Sequence, residues 1–137
     1  MVKQIAHVCI GATDLEATER FYCGVLGFAR KFRFLKGSEP IGFYLDAGGG
    51  TFIEVFRQDD VQEGSRPLIR HFCLLTDDID RLRQALLRAG HEVTEKKKGC
   101  DQSWQAWVTD PSGVRIEFHQ YTAQSSQLTG SDCVLPH

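Results

Sequence analysis

Residues 4–11, QIAHVCIG, alternate in character: Ala6, Val8 and Ile10 share one face and His7 and Cys9 the other, the period of a half-buried strand. Thr13 or Asp14 then offers a helix cap, and Leu15, Thr18, Tyr22, Val25 and Leu26 recur at helical spacing up to Gly27. That predicts an amphipathic helix lying on a sheet. Three strand-like runs follow, 28–36, 41–47 and 51–57, separated by Gly/Ser/Pro and by Gly48-Gly49-Gly50. The first half therefore reads βαβββ.

The pattern then starts again. IRHFCLLT (69–76) is a strand with His71 and Cys73 on one face, and DDIDRLRQALLRAG follows as a helix whose apolar side is Ile79, Leu82, Leu86 and Ala89, ending at Gly90. Strands are predicted at 91–97, 103–110 and 114–121, the last two joined by the turn sequence Asp110-Pro111-Ser112-Gly113. Between the halves, 58–68 is polar and punctuated by Gly and Pro, as a linker is. The segment 122–137 is polar and aperiodic, which predicts a mobile tail or one lying over a partner surface.

The repetition is numerical as well as visual. His7 to His71 and Asp14 to Asp78 are offsets of 64, while Gly27 to Gly90 and Glu54 to Glu117 are offsets of 63. One deletion near the end of the second helix accounts for all four, so the chain is a duplication of modules 4–57 and 69–121. The fold class is α+β, two tandem βαβββ modules forming a cup-shaped mixed sheet, in one domain over 1–137.

Composition narrows the partners. With 16 Lys+Arg against 18 Asp+Glu the net charge is -2, which gives no electrostatic case for nucleic acid or an anionic membrane. No apolar run has the roughly 18 residues a membrane helix needs. The N-terminal stretch lacks a signal-peptide core, so a cytoplasmic protein acting on a small molecule is expected. The five cysteines show no CxxC pairing and suggest neither a disulfide framework nor a thiolate zinc site.

The candidate chemistry lies on matched strands. Each half supplies one imidazole and one carboxylate in the same order, His7 with Glu54 and His71 with Glu117. Glu54 shares its face with Phe52 and Phe56, where an unpaired carboxylate would be costly. If the halves fold alike the four converge, and His/Glu sets suit Zn, Ni, Co, Fe or Mn. Such a cation holds two neighbouring substrate oxygens and stabilises an oxyanion, while a coordinating carboxylate that lets go becomes a base.

The duplicated units, FYCGVLGF and WQAWVTDPSGVRIEF together resemble the vicinal oxygen chelate (glyoxalase/bleomycin-resistance) superfamily over nearly all of 4–121. The set His7, Glu54, His71 and Glu117 is similar to that of bacterial glyoxalase I; methylmalonyl-CoA epimerases place Gln where Glu54 stands, and dioxygenases use three ligands. The resemblance implies a metal-dependent lyase/isomerase that turns the methylglyoxal-glutathione hemithioacetal into S-lactoylglutathione through a metal-bound enediolate. It further implies nickel or cobalt, with zinc accepted, and a homodimer. By the same resemblance Glu117 is the principal base and Glu54 the opposing ligand and second base. The alternatives are another enzyme of the superfamily, an epimerase or dioxygenase, and a metal-free protein that sequesters a ligand.

Two departures bear on glutathione as cosubstrate. Gly11 stands where bacterial glyoxalase I has Arg, and Gln58 where it has Asn. Gln58, Lys98, Phe56 and Trp107 are the candidate substrate-binding residues, with Lys97 an alternative to Lys98. Trp104 and Trp107 lie on opposite faces of one strand, so one lines the cup and the other is core or interface. Arg115 and His119 flank Glu117 as candidate supporting groups, and Cys9 and Cys73 fit as small packing residues.

Overall fold

A computed structural model describes residues 1–25, 27–58, 68–109 and 115–136, with backbone only for Phe21 and Val25. Its elements are β1 (Val2–Ala12), α1 (Leu15–Glu19) continuing as a π-helical segment (Arg20–Val25), β2 (Ala29–Lys36), β3 (Glu39–Gly48) and β4 (Thr51–Arg57). There follow β5 (Ile69–Thr76), α2 (Ile79–Arg88), β6 (Lys97–Lys98), β7 (Trp104–Thr109), β8 (Arg115–Gln120), α3 (Ser126–Thr129) and β9 (Cys133–Leu135). Most of the linker, 59–67, and the turn sequence at 110–113 lie outside the described residues.

The helix boundaries follow local chemistry. Asp14 and Asp78 each cap a helix by accepting from the backbone N–H three residues on, Ala17 and Arg81. Gly27 and Gly90 end the helical segments with φ of 84° and 87°, where other residues are strained. Among the described residues no helix is long and apolar enough to cross a membrane.

One sheet runs through both modules in the order β6-β7-β8-β5-β1-β4-β3-β2-β9. β1 pairs parallel with β4 and β5 parallel with β8, while β1 and β5 meet antiparallel at the centre. The register repeats in both halves, with Cys9 opposite Glu54 and Cys73 opposite Glu117. Across the seam His7 lies opposite Cys73 and Cys9 opposite His71. Residues opposite one another share a face, so all six side chains point into the cup.

The outer face is covered by the helices. Leu15 and Tyr22 pack on Ala12, Phe43, Leu45 and Val55, and Ile79 and Leu82 of α2 on Ala106, Val108 and Phe118. Leu86 joins this contact, whereas Ala89, expected on the apolar side, is exposed at the helix end. The inner face of the first module is aromatic: Phe32, Phe34, Tyr44 and Phe52 cluster with Cys133.

Two expectations are corrected. The run 91–97 is not a strand: Val93 makes a single bridge to Val108, and Lys97–Lys98 alone pair with β7. Thr94 instead satisfies Trp107 twice, its Oγ1 accepting from Trp107 N at 2.8 Å and its N–H donating to Trp107 O at 2.9 Å. The segment 122–136 is not a mobile tail either. It forms α3 and β9, the latter pairing parallel with β2, and Ser125, Ser126, Gln127 and Cys133 are buried.

Polar residues are buried there because each finds a partner. Gln127 Nε2 donates to Asp101 Oδ2 at 2.8 Å, Ser103 Oγ donates to Gln127 Oε1 at 3.0 Å, and Ser126 N donates to Asp101 O at 2.8 Å. Further along, Asp132 accepts from Arg33 N and Arg33 Nη2, both at 2.9 Å. The segment thus bridges the loop after β6 to β2, joining the two ends of the sheet across the cup.

Candidate metal centre

Four side chains from β1, β4, β5 and β8 meet at the seam of the two modules. His7 Nε2 and His71 Nε2 are 3.1 Å apart, and Glu117 Oε2 is 3.2 Å from the first and 3.0 Å from the second. Glu54 Oε1 lies 3.6 Å from His7 Nε2 and 3.7 Å from His71 Nε2. Donors about 2.0–2.2 Å from a shared ion lie about 2.9–3.5 Å from their neighbours, the spacing of His7, His71 and Glu117, with Glu54 just outside it. The arrangement is completed within one chain, because β1 and β5 of the same chain pair.

The surroundings suit a cation. His7 is fully buried, and Glu54 and Glu117 are nearly so. Burial opposes a charge on His7, yet Glu54, Cys73 and Glu117 outweigh it and raise its pKa to about 10. Burial would likewise raise Glu117, but His119, His7 and His71 hold its carboxyl well below the usual carboxylate range. Two carboxylates concentrated on two imidazoles attract positive charge, which protons supply when no metal does. A divalent cation held by His7, Glu54, His71 and Glu117 fits this donor set.

Neighbouring groups orient the donors. Tyr44 Oη lies 2.5 Å from His7 Nδ1, directing the opposite nitrogen into the cluster, and His119 Nε2 lies 2.7 Å from Glu117 Oε1. The ring of Trp107 meets that of His71 edge-on with centroids 4.7 Å apart. The Cys9 thiol lies near Glu54, and burial followed by that carboxylate pushes its pKa up. Cys73 forms a further close group with His7 and His119 and is fully buried.

A cavity of about 770 Å³ opens over the cluster. It is lined by Glu54, His71, Glu117 and His119, by the aromatic rings of Phe34, Phe56 and Trp107, and by Lys97, Lys98 and Val134–Pro136. Phe56, Lys98 and Trp107, expected from the sequence to bind substrate, line this cavity. Lys98 pairs opposite Trp104 and lies over its ring at 4.9 Å, and Trp104 packs with the α2 cluster on the face of β7 away from Trp107.

Gln58 is placed differently. It is buried beside Gly11, where a Cβ would fall 2.2 Å from its Oε1, and that oxygen accepts from Arg70 Nη2 at 2.9 Å. The space of the arginine absent at position 11 is thus filled by Gln58, and a cation enters from β5 as Arg70. Arg115, expected beside Glu117, instead lies exposed over the Trp107 ring at 4.5 Å. Sequence reasoning missed Tyr44, Arg70 and the segment after Tyr121. Tyr44 had a signal: it is offset by 63 from Trp107 and lies opposite Glu54 as Trp107 lies opposite Glu117.

Comparison with known proteins agrees with this architecture. The family model described as glyoxalase/bleomycin resistance protein/dioxygenase superfamily matches residues 4–118. The chain is 30% identical to the uncharacterized protein YaeR of Escherichia coli (strain K12) over 127 residues, 87% of this chain and 97% of that one. Methylmalonyl-CoA epimerase from Mycobacterium tuberculosis is similar with a TM-score of 0.75 at 19% identity, over 90% of this chain and 91% of that one. A Streptomyces coelicolor methylmalonyl-CoA epimerase in complex with 2-nitronate-propionyl-CoA gives 0.70 at 20% identity, over 91% and 99%. At these identities the epimerases share the fold.

Proposed function

Because the chain belongs to the glyoxalase/bleomycin resistance protein/dioxygenase superfamily, we propose that it is a metal-dependent enzyme that moves a proton at a carbon next to a carbonyl. The reading rests on one observation, the convergence of two imidazole nitrogens and two carboxylate oxygens at 3.0–3.7 Å beneath a cavity. A bound divalent cation supplies Lewis acidity, polarising neighbouring substrate oxygens and lowering the cost of charge on them.

The chain's own groups do the rest. Phe34, Phe56 and Trp107 exclude water from the reacting carbon, and Lys97 and Lys98 offer positive charge to an anionic substituent. A carboxylate beside the cation takes the proton as the C–H bond breaks and its electron pair moves toward the carbonyl oxygen. Delivery of a proton to the opposite face of the same carbon epimerises the substrate, and delivery to the neighbouring carbon isomerises it.

Epimerisation of an acyl thioester is the first reading, supported by the epimerases that share the fold. Isomerisation of the glyoxalase I type is the second, favoured by Glu at position 54 rather than Gln. Sites complete in each chain are compatible with a homodimer.

Metal content after chelator-free purification, followed by Ni, Co or Zn add-back, tests the class. Cation-dependent exchange of substrate hydrogen for solvent deuterium is expected with methylmalonyl-CoA or with the hemithioacetal of methylglyoxal and glutathione. Absence of any divalent-cation binding overturns the enzymatic reading and leaves a ligand-sequestering protein.

A further inference from the structure

The two carboxylates are equivalent by duplication but not by environment. Glu117 Oε2 faces the two imidazoles while its Oε1 is taken by His119 Nε2 at 2.7 Å, from a side chain that is itself buried. Among the described residues, Glu54 has the two imidazoles at 3.6 and 3.7 Å and, nearby, the Cys9 thiol, which is at most a weak donor. The asymmetry is built into the sequence: 63 residues before His119 stands Phe56, which has no donor to offer. The imidazoles divide the same way, His7 being held by Tyr44 and His71 meeting the edge of Trp107.

We propose that His119 is a positioning residue that fixes Glu117 as the ligand that stays on the cation, leaving Glu54 as the carboxylate that releases and takes the substrate proton. The inference rests on the metal-dependent reading above. For Glu117 to swing, it must break a charge-assisted hydrogen bond inside a buried site, whereas Glu54 must leave only a thiol. The proton passes from carbon to a Glu54 oxygen as the C–H electron pair moves onto the carbonyl. This reverses the roles implied by the resemblance to glyoxalase I.

The test compares His119→Leu with His119→Gln, whose amide keeps an N–H donor, using cobalt(II) as the probe. In His119→Leu the visible cobalt spectrum changes, because Glu117 is no longer held through one oxygen, and affinity by calorimetry falls about 10–100-fold. His119→Gln restores both, and circular dichroism verifies the fold of each variant. Glu54→Gln keeps cobalt within about tenfold yet loses deuterium exchange, while Glu117→Gln loses cobalt affinity first.

An unchanged spectrum and affinity in His119→Leu overturn the positioning role. Retained exchange in Glu54→Gln overturns the assignment of the base. Failure of the unaltered protein to bind cobalt overturns the metal reading itself, a result distinct from either.

Discussion

Tyr44 and Trp107 occupy equivalent positions, yet Tyr44 places its hydroxyl 2.5 Å from His7 Nδ1 while Trp107 gives His71 an aromatic edge. One imidazole of the duplicated pair is thereby fixed in rotation. Tyr44→Phe removes the oxygen and keeps the ring, which is fully buried against Phe32 and Phe52. Cation affinity is expected to fall about 10-fold, the lower end for loss of a group that orients a ligand. Calorimetric titration with Ni or Co measures it.

The raised pKa of His7 gives a pH dependence of definite sign. An unfolded histidine titrates near 6.5 and the folded one near 10, so the folded cation-free protein binds the extra proton between these values. The stabilisation is complete below about pH 6.5 and is lost as pH rises toward about 10. Melting temperature of the cation-free protein should fall over that window, and cation affinity should rise, because metal replaces the proton on His7. Thermal melts at a series of pH values, with and without cation, separate the two effects.

Much of the site was legible because strands have a period of two. Once His7 and Glu54 were each placed on a strand face, the offsets of 64 and 63 required His71 and Glu117 to follow. The segment after Tyr121 was not legible, since buried serines and glutamines held by hydrogen bonds have the composition of solvated ones. Tyr44 was hidden for the opposite reason: within IGFYLDA it reads as core, and its burial agrees. Arg70 reaches Gln58 beside the register shift of β1 and β5 between Cys9 and Ile10, which no pattern of alternation predicts.

Gln127 joins α3 to the loop after β6 through Asp101 and Ser103. Gln127→Leu leaves Asp101 Oδ2 and Ser103 Oγ short of a partner, at a cost of about 1–3 kcal/mol. For a domain of this size that is a drop of roughly 3–12 °C in melting temperature. Cation affinity should fall with it, since Gln127 adjoins Tyr44 and its partner Asp101 Oδ2 lies 4.0 Å from His119 Nε2, and neighbouring groups do not contribute independently. Melting curves and calorimetry on one preparation check both statements.

Gly11 tests the packing that replaced a cationic side chain. In Gly11→Ala the new Cβ displaces the Gln58 amide from Arg70, losing a hydrogen bond to a charged group worth about 1.5–3 kcal/mol. A stability loss of that order, measured by denaturant unfolding, is expected with the cobalt spectrum unchanged. Gly11→Arg should cost more, because the space is already filled.

The shortness of the outermost strands has a consequence for solubility. β6 consists of Lys97 and Lys98, and β9 has three residues followed by Pro136, so neither end of the sheet offers a long template for another chain to pair with. Beneath β9 lies β2, eight residues that include Phe32 and Phe34. Deleting 131–136 would expose this flat aromatic strand as an edge. Intermolecular association, read by light scattering, is then the expected phenotype, ahead of any loss of chemistry.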